Sequence, residues 1–462
     1  MSEYRLTGMT TLHYVSTASG AIVTGYSGEI PSAFALPDAL NGVPLYGVGD
    51  GAFQGCANLM TLELPDSVRF IGKSAFEGCE RLSGLKLPAN ITELRANAFK
   101  GCSNLAVALM SDSLATIPLD AFDDNTAVIR LNVKSFQNLY ASGSRFFPAN
   151  ELFRVTEKNL QYYITGIKRN LRKSVISVLI PSTFCGNKIV GIDTIAFDQD
   201  GSSPSKASGD SVNDYNYETY CELLPIGLDN AEIRNRFHNL KRFSNGFTFC
   251  SSLTKVILRD GIRRIGKSVF CNDKSLLSVE LPETLMSIGE RSFEGCINLP
   301  CLKVPESVVF IGKGAFIRCK RLTSFVFPNE ITVVLEAAFA GCQSLKSVVF
   351  PEQLDEIEDW AFTGCRSLTS IAFPEGLTHI DDYVFNECAG LVNLDLPESL
   401  THIGVNAFKD CANVASVKLS DSIEEIGDKA FAPTTRLVVN ENSQAHIWAK
   451  VYDYKFELIN KE

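Results

Sequence analysis

The sequence predicts a repeat solenoid, in which short parallel strands stack coil upon coil around one continuous apolar core. Three observations predict it. A phenylalanine recurs every 23 residues, an aliphatic residue stands five places before it, and a period-two apolar stretch closed by proline follows it.

The repeat unit reads P-x-x-[LVI]-x-x-I-G-x-x-A-F-x-G-C-x-x-L-x-x-[LVI]-x-L, as in PDSVRFIGKSAFEGCERLSGLKLP (65–88) and PETLMSIGERSFEGCINLPCLKVP (282–305). Its phenylalanine falls at Phe53, Phe76, Phe99 and Phe122, and again from Phe247 to Phe431 in unbroken steps of 23. Phe197 belongs to a further copy set apart by an insertion, which brings the total to fourteen units. Thirteen of the fourteen carry an aliphatic five residues earlier, from Val48 to Ile426, and Arg242 is the exception.

Each element follows from this unit. Leu59, Leu62, Leu64 and Pro65 alternate at their end with period two, so they form a short strand stopped by proline. The I-G-x-x-A-F stretch turns the chain on the opposite side, its glycine permitting the bend and its alanine leaving room for an inward phenylalanine. One coil cannot enclose its own apolar groups, so the coils stack and every column becomes a ladder. With strands about 4.8 Å apart, the nine regular coils from Phe247 to Phe431 span roughly 40 Å.

These motifs resemble the 23-residue class of leucine-rich repeat found in BspA-like bacterial and protozoan surface proteins. The resemblance covers nearly the whole chain apart from about 198–241. It implies an α/β repeat solenoid, a curved right-handed superhelix with a parallel concave β-sheet made by the L-x-x-L-x-L strands. It also implies a protein that binds other macromolecules, often as an adhesin.

Repeat arrays need atypical ends. LPDALNGVPLYGVGDGAF (36–53) and IPSTFCGNKIVGIDTIAF (180–197) are matching N-terminal caps, preceded by the strand-like stretches Leu12–Val15 and Leu160–Ile164. Residues 443–449 and 135–141 are matching amphipathic helices that close the cores. The chain therefore divides into two capped arrays, 1–155 with about four coils and 156–462 with about ten. The second is interrupted at 198–241 by a breaker-rich loop followed by a plausible amphipathic helix over 228–241, and so long an excursion is either functional or disordered.

Composition bounds the function. Forty-five per cent hydrophobic and 21% charged residues exclude wholesale disorder. The formal charge of −10, with 43 basic against 53 acidic residues and no basic block, disfavours a nucleic-acid partner. No apolar run reaches the roughly 18 residues of a membrane span. Met1-Ser2-Glu3-Tyr4-Arg5 leads into polar sequence without a signal-peptide core. A cytoplasmic location therefore stays open beside the cell-surface or secreted one that the resemblance implies.

Catalysis finds little footing. Ten of fourteen cysteines fall three places after the repeat phenylalanine: Cys56, Cys79, Cys102, Cys250, Cys296, Cys319, Cys342, Cys365, Cys388 and Cys411. The column also accepts Asn125, Asp200, Asp273 and Thr434, and no C-x-x-C occurs, so it reads as a buried small-group slot rather than a metal or redox array. Cys185, Cys221, Cys271 and Cys301 are out of register and the better candidates for reactivity. His379 and His402 stack one coil apart, but no carboxylate pattern is seen to complete a metal site. Asp198-Gln199-Asp200-Gly201 echoes a calcium loop without its later ligands. No catalytic residue, metal or cofactor is assigned.

The outward columns of the strands carry the binding signal. One passes through Ser324, Ser347 and Ser370; the other passes from Lys303 through Val326, Val349 and Ala372 to Asp395. An apolar centre with a polar rim is the anatomy of a binding patch, although valine suits any strand. The expectation is a non-enzymatic macromolecule-binding protein that takes a protein or glycoconjugate ligand on this face. The alternatives are an intracellular protein-interaction scaffold, or an enzyme whose site is formed by 198–241.

Overall fold

The computed structural model describes residues 1–6, 10–114, 116–132, 137, 247, 250 and 252–459, together with five strand segments between 153 and 192. The chain forms two compact units. One comprises Met1–Arg154, Ile167–Ile189 and Ser252–Arg259; the other comprises Val155–Gly166, Val190–Ser251 and Asp260–Glu462. The 198–241 insertion lies outside the described residues, as do Phe197, Arg242, Cys185 and Cys221. So does the 135–141 segment, except for residue 137.

In the first unit, Ser2–Arg5, Thr11–Thr17 and Gly20–Ser27 form an antiparallel meander. The last of these strands pairs in parallel with Val43–Val48, which starts a ladder continued by Phe70–Ile71 and Glu93–Leu94. A second parallel ladder joins Ala33–Ala35, Thr61–Glu63 and Gly84–Lys86. Further along, Val107–Ser111 pairs in parallel with Ala127–Leu131, whose other edge meets Val175–Ile180 in the antiparallel sense. Val175–Ile180 then pairs in parallel with Lys255–Leu258.

In the second unit the described strands from Arg264 to Ile426 pair in parallel on the 23-residue register. Ser324–Val326, Ser347–Val349, Ser370–Ala372 and Asn393–Asp395 form one parallel sheet. A separate ladder of two-residue strands, not foreseen from the sequence, contains the aliphatic five places before each phenylalanine. It runs through Arg264–Ile265, Ser287–Ile288 and Phe310–Ile311, and resumes through Val333–Val334, Glu356–Ile357, His379–Ile380, His402–Ile403 and Glu425–Ile426. Among the described residues the α-helical ones are Gln444–Val451 and Gln137, with one 3-10 turn at Leu119–Ala121, so the described coils are a β-solenoid of strands and turns.

Every described repeat phenylalanine is buried, and the rings stack within each unit, from Phe53 to Phe122 and from Phe247 to Phe431. Phe339 and Phe362 have centroids 5.3 Å apart with planes 5° from parallel; Phe53 and Phe76 are 5.2 Å apart at 4°. The cysteine column is explained by its partner. The Cys342 thiol donates to the Phe316 carbonyl at 3.1 Å, and the Cys365, Cys388 and Cys411 thiols repeat the bond one coil on each time. A small apolar group that carries a weak donor fits a slot facing a carbonyl. All twelve described cysteines are free, and burial pushes the Cys411 thiol up to about 12. Cys271, expected to be reactive, is instead buried, and burial raises its thiol well above the usual range. Cys301 is exposed.

The turn side departs from expectation in its cause. The glycine of I-G does not serve a left-handed bend; a Cβ on Gly289 would lie 2.5 Å from the Gly266 carbonyl carbon, so glycine is there because stacked backbones touch. One left-handed column stands two places before the repeat phenylalanine and is mostly not glycine: Ser74, Asn97, Ser268, Arg291, Ala337, Trp360, Tyr383, Asn406 and Lys429, with φ between 53° and 58°. Asp120, before Phe122, lies in the 3-10 turn instead, and a second column two places after the phenylalanine includes Gly78, Asn272, Arg318 and Asp410. Such residues cost roughly 1–2 kcal/mol each. Their conformation is held by bonds to the next coil, as in Ala337 N to Asp359 O at 2.8 Å and Trp360 N to Asp382 O at 2.9 Å.

Candidate functional site

Strand periodicity decides what the long-strand face displays. Phe325, Val348, Ile371 and Leu394 point inward and are buried, so the residues on either side of each face solvent. Ser324, Ser347 and Ser370 are exposed and lie in one line, since Ser324 pairs in register with Ser347. Val326 and Val349 are register partners, and so are Val349 and Ala372. The two valines are 56% and 55% exposed, unusual for large apolar side chains. Lys303 and Asp395 are exposed at either end of the column. Val392, 54% exposed, adds an apolar group that the sequence reading missed; it stands just before the Asn393–Asp395 strand.

The two-residue strands display a second face, whose composition changes along the stack. Successive coils present Arg263-Arg264, Met286-Ser287, Val309-Phe310, Thr332-Val333 and Asp355-Glu356. Met286, Val309 and Phe310 are all close to half exposed. Beyond them the His379 and His402 rings stack at 4.4 Å with planes 10° apart. The Thr378 hydroxyl lies between Asp355 and His379 Nδ1, 2.7 Å from the latter, and Thr401 Oγ1 shares a hydrogen bond with His402 Nδ1 at 2.8 Å. Both Nδ1 atoms are thereby engaged. Glu425 Oε2 is 3.7 Å from His402 Nε2, a carboxylate one coil on that the sequence reading overlooked. Among the described residues no three His, Cys, Asp or Glu side chains are gathered to hold a metal ion.

Acidic groups crowd the turn beside this face. Asp359 Oδ1 accepts the Asp382 N–H at 3.0 Å, and Asp382 Oδ1 accepts the Val405 N–H at 2.6 Å, so these two carboxylates serve as backbone caps. Asp381 has neighbours of its own sign. Burial, then the nearby Glu356, Asp359, Glu358 and Asp382, push its carboxyl up to about 6.

Among the described residues no helix is long and apolar enough to cross a membrane. The sequence matches the family described as BspA type leucine rich repeat region, in six copies, over residues 44–168, 242–357 and 310–438. Comparison with curated proteins gave no match. Among solved structures, a leucine-rich repeat protein from Bacteroides ovatus is similar at 20% identity, with 99% of this chain and 100% of that one covered and a TM-score of 0.37. A leucine rich cell surface protein from Faecalibacterium prausnitzii shares 18% identity over 97% of each chain, with a TM-score of 0.34. The pneumococcal vaccine antigen PcpA shares 13% identity over 100% of this chain and 99% of its own, also with a TM-score of 0.34. The family match spans well over half of the chain, and the coils it covers stack on the 23-residue register, so the protein belongs to the BspA-type leucine-rich repeat family.

Proposed function

We propose that the protein is a non-enzymatic binding protein, built as two capped arrays (1–155 and 156–462) of a curved right-handed solenoid. A protein or glycoconjugate docks on its concave long-strand face. Membership of the BspA-type family supports an adhesin-like role at a cell surface or after secretion. The observation that carries the reading is the pairing of Val326 with Val349, both more than half exposed, beside the serine line and between Lys303 and Asp395. A soluble monomer gains nothing from large apolar groups held side by side in water, whereas a binding patch needs them at its centre.

The test is binding of the purified chain to arrays of glycans and of proteins. Val349→Arg places a charge where a partner must desolvate apolar surface, and is expected to weaken capture tenfold or more. Val348 beneath it stays inward and preserves the coil. Glu424→Arg, an exposed change on the short-strand side, is expected to leave capture within about twofold, as rim or remote positions do. Equal loss from both variants, or from neither, would remove the long-strand face as the site.

A further inference from the structure

We propose that the short-strand face docks a second copy of this chain, antiparallel, about a two-fold axis at Phe310. The ladder is antisymmetric in charge about that residue. Arg264 stands 46 residues before Phe310 and Glu356 stands 46 after it; Arg263 and Asp355 flank Val309 in the same way. With coils about 4.8 Å apart, both charged pairs sit roughly 10 Å from the apolar centre, on opposite sides of it. A half-turn about an axis that lies in the contact plane at Phe310 and runs across the stack, along the strands, lays each arginine pair over the other copy's carboxylates and Phe310 against Phe310. Such self-complementarity is what an isologous interface requires. A half-turn about an in-plane axis along the stack, which leaves the two stacks parallel, would instead set like charge on like.

The groups are available for this. Arg263 and Arg264 are exposed and make no ion pair among the described residues, and neither do Asp355 and Glu356. Val309 and Phe310, at 50% and 48% exposed, lie between them with no described side chain covering them. At the acidic end Lys313 pairs with Glu336 and Glu358, at 3.5 and 3.2 Å, and not with Asp355 or Glu356. The patch is about five coils long and two side chains wide, well below the roughly 800 Å² per partner of a standard interface, so association is weak and best seen at low salt.

The experiment is sedimentation of the full chain from about 10 µM to about 1 mM at low and high salt. A reversible monomer–dimer equilibrium that weakens with salt is expected. Arg264→Glu and Glu356→Arg should each raise the dissociation constant at least tenfold, and Phe310→Asp should abolish the dimer. Combining Arg264→Glu with Glu356→Arg recreates the pairing with reversed sign and should restore association to within about threefold of the parent. Because these side chains are at the surface, none of the changes touches the phenylalanine stack. A monomer at every concentration would overturn the proposal. So would a dimer indifferent to Phe310→Asp, or a double variant no better than its parents. The long-strand face plays no part in this outcome, so failure here leaves the Val349 test standing.

Discussion

Asp381 occupies a place in the coil where Gly312 and Gly404 stand in other coils, and where Leu335 and Glu358 stand in the two preceding ones. Burial and four neighbouring carboxylates make ionisation costly there, so its carboxyl sits near 6 rather than at the usual carboxylate value. The folded state therefore holds this proton more tightly than the unfolded chain does. Its contribution favours folding below the unfolded value near 3.8, and is lost as pH rises through about 6. Above that, the charged side chain works against the fold. Asp381→Asn is expected to raise stability at pH 7 to 8 by about 1 kcal/mol, the full shift being discounted for partial solvent screening. The gain should shrink to nothing as pH falls to 4. Denaturant melts at pH 7.5 and pH 4 check this, and a gain of equal size at both would show that crowding of charge is not its cause. The crowding itself is legible in sequence, since Glu358 and Asp381 are 23 residues apart, as are Asp359 and Asp382. Their different roles are not, because capping and burial depend on where each oxygen points.

At the level of the coil, strand and turn differ in how far sequence reports them. The long strands are marked by period-two alternation, and Leu62, Val348 and Ile371 face inward as that pattern requires. The two-residue strands have no room for a period, so only the stacked aliphatic column hinted at them. The left-handed column was hidden altogether, because Arg291, Ala337 and Trp360 are not residues that advertise positive φ. Inter-coil hydrogen bonds impose that conformation, and propensity does not resist it strongly enough to prevent it. The glycine of I-G answers to contact in the same way. Gly289→Ala puts a Cβ 2.5 Å from backbone of the coil before, and should cost about 2 kcal/mol or more. Gly376 has its nearest neighbour at 3.5 Å, so Gly376→Ala should leave stability unchanged or raise it by about 0.5 kcal/mol through the unfolded chain. Chemical melts of the two variants separate the explanations. If both cost the same, intrinsic turn preference, and not stacking, explains the recurrence of glycine in the motif.

Within each unit a coil packs chiefly on its neighbours, with only long side chains reaching two coils, as Lys313 does to Glu358 at 3.2 Å, so stability approximates a sum of coil and interface terms and the ends matter most. The second unit ends on the helix Gln444–Val451, capped by Ser443, whose hydroxyl accepts the His446 N–H at 3.1 Å. Trp448 stands edge-on to Phe431, the last ring of the stack, at 6.4 Å and lies against Tyr454 at 4.9 Å. Tyr454 in turn donates its hydroxyl to the Phe431 carbonyl at 2.6 Å. This closure was legible as an amphipathic segment with a serine before it. The outward residues of the long strands were legible only as positions, since outward side chains bear no packing constraint and so carry no signature of a partner. Removing the plug tests the one-dimensional picture. Trp448→Ala takes a large buried ring from the end of the core, at a cost of about 3–5 kcal/mol to the terminal interface. In a nearest-neighbour stack that loss stays local. Amide exchange should quicken at least tenfold at Phe408, whose N–H bonds to Ala430, and at Leu437 in the last strand pair. The amides of Phe316 and Phe339, three or more coils away, should keep their protection. Uniform loss across the unit would mean that the coils unfold as a single cooperative body and that the end cap governs the whole of it.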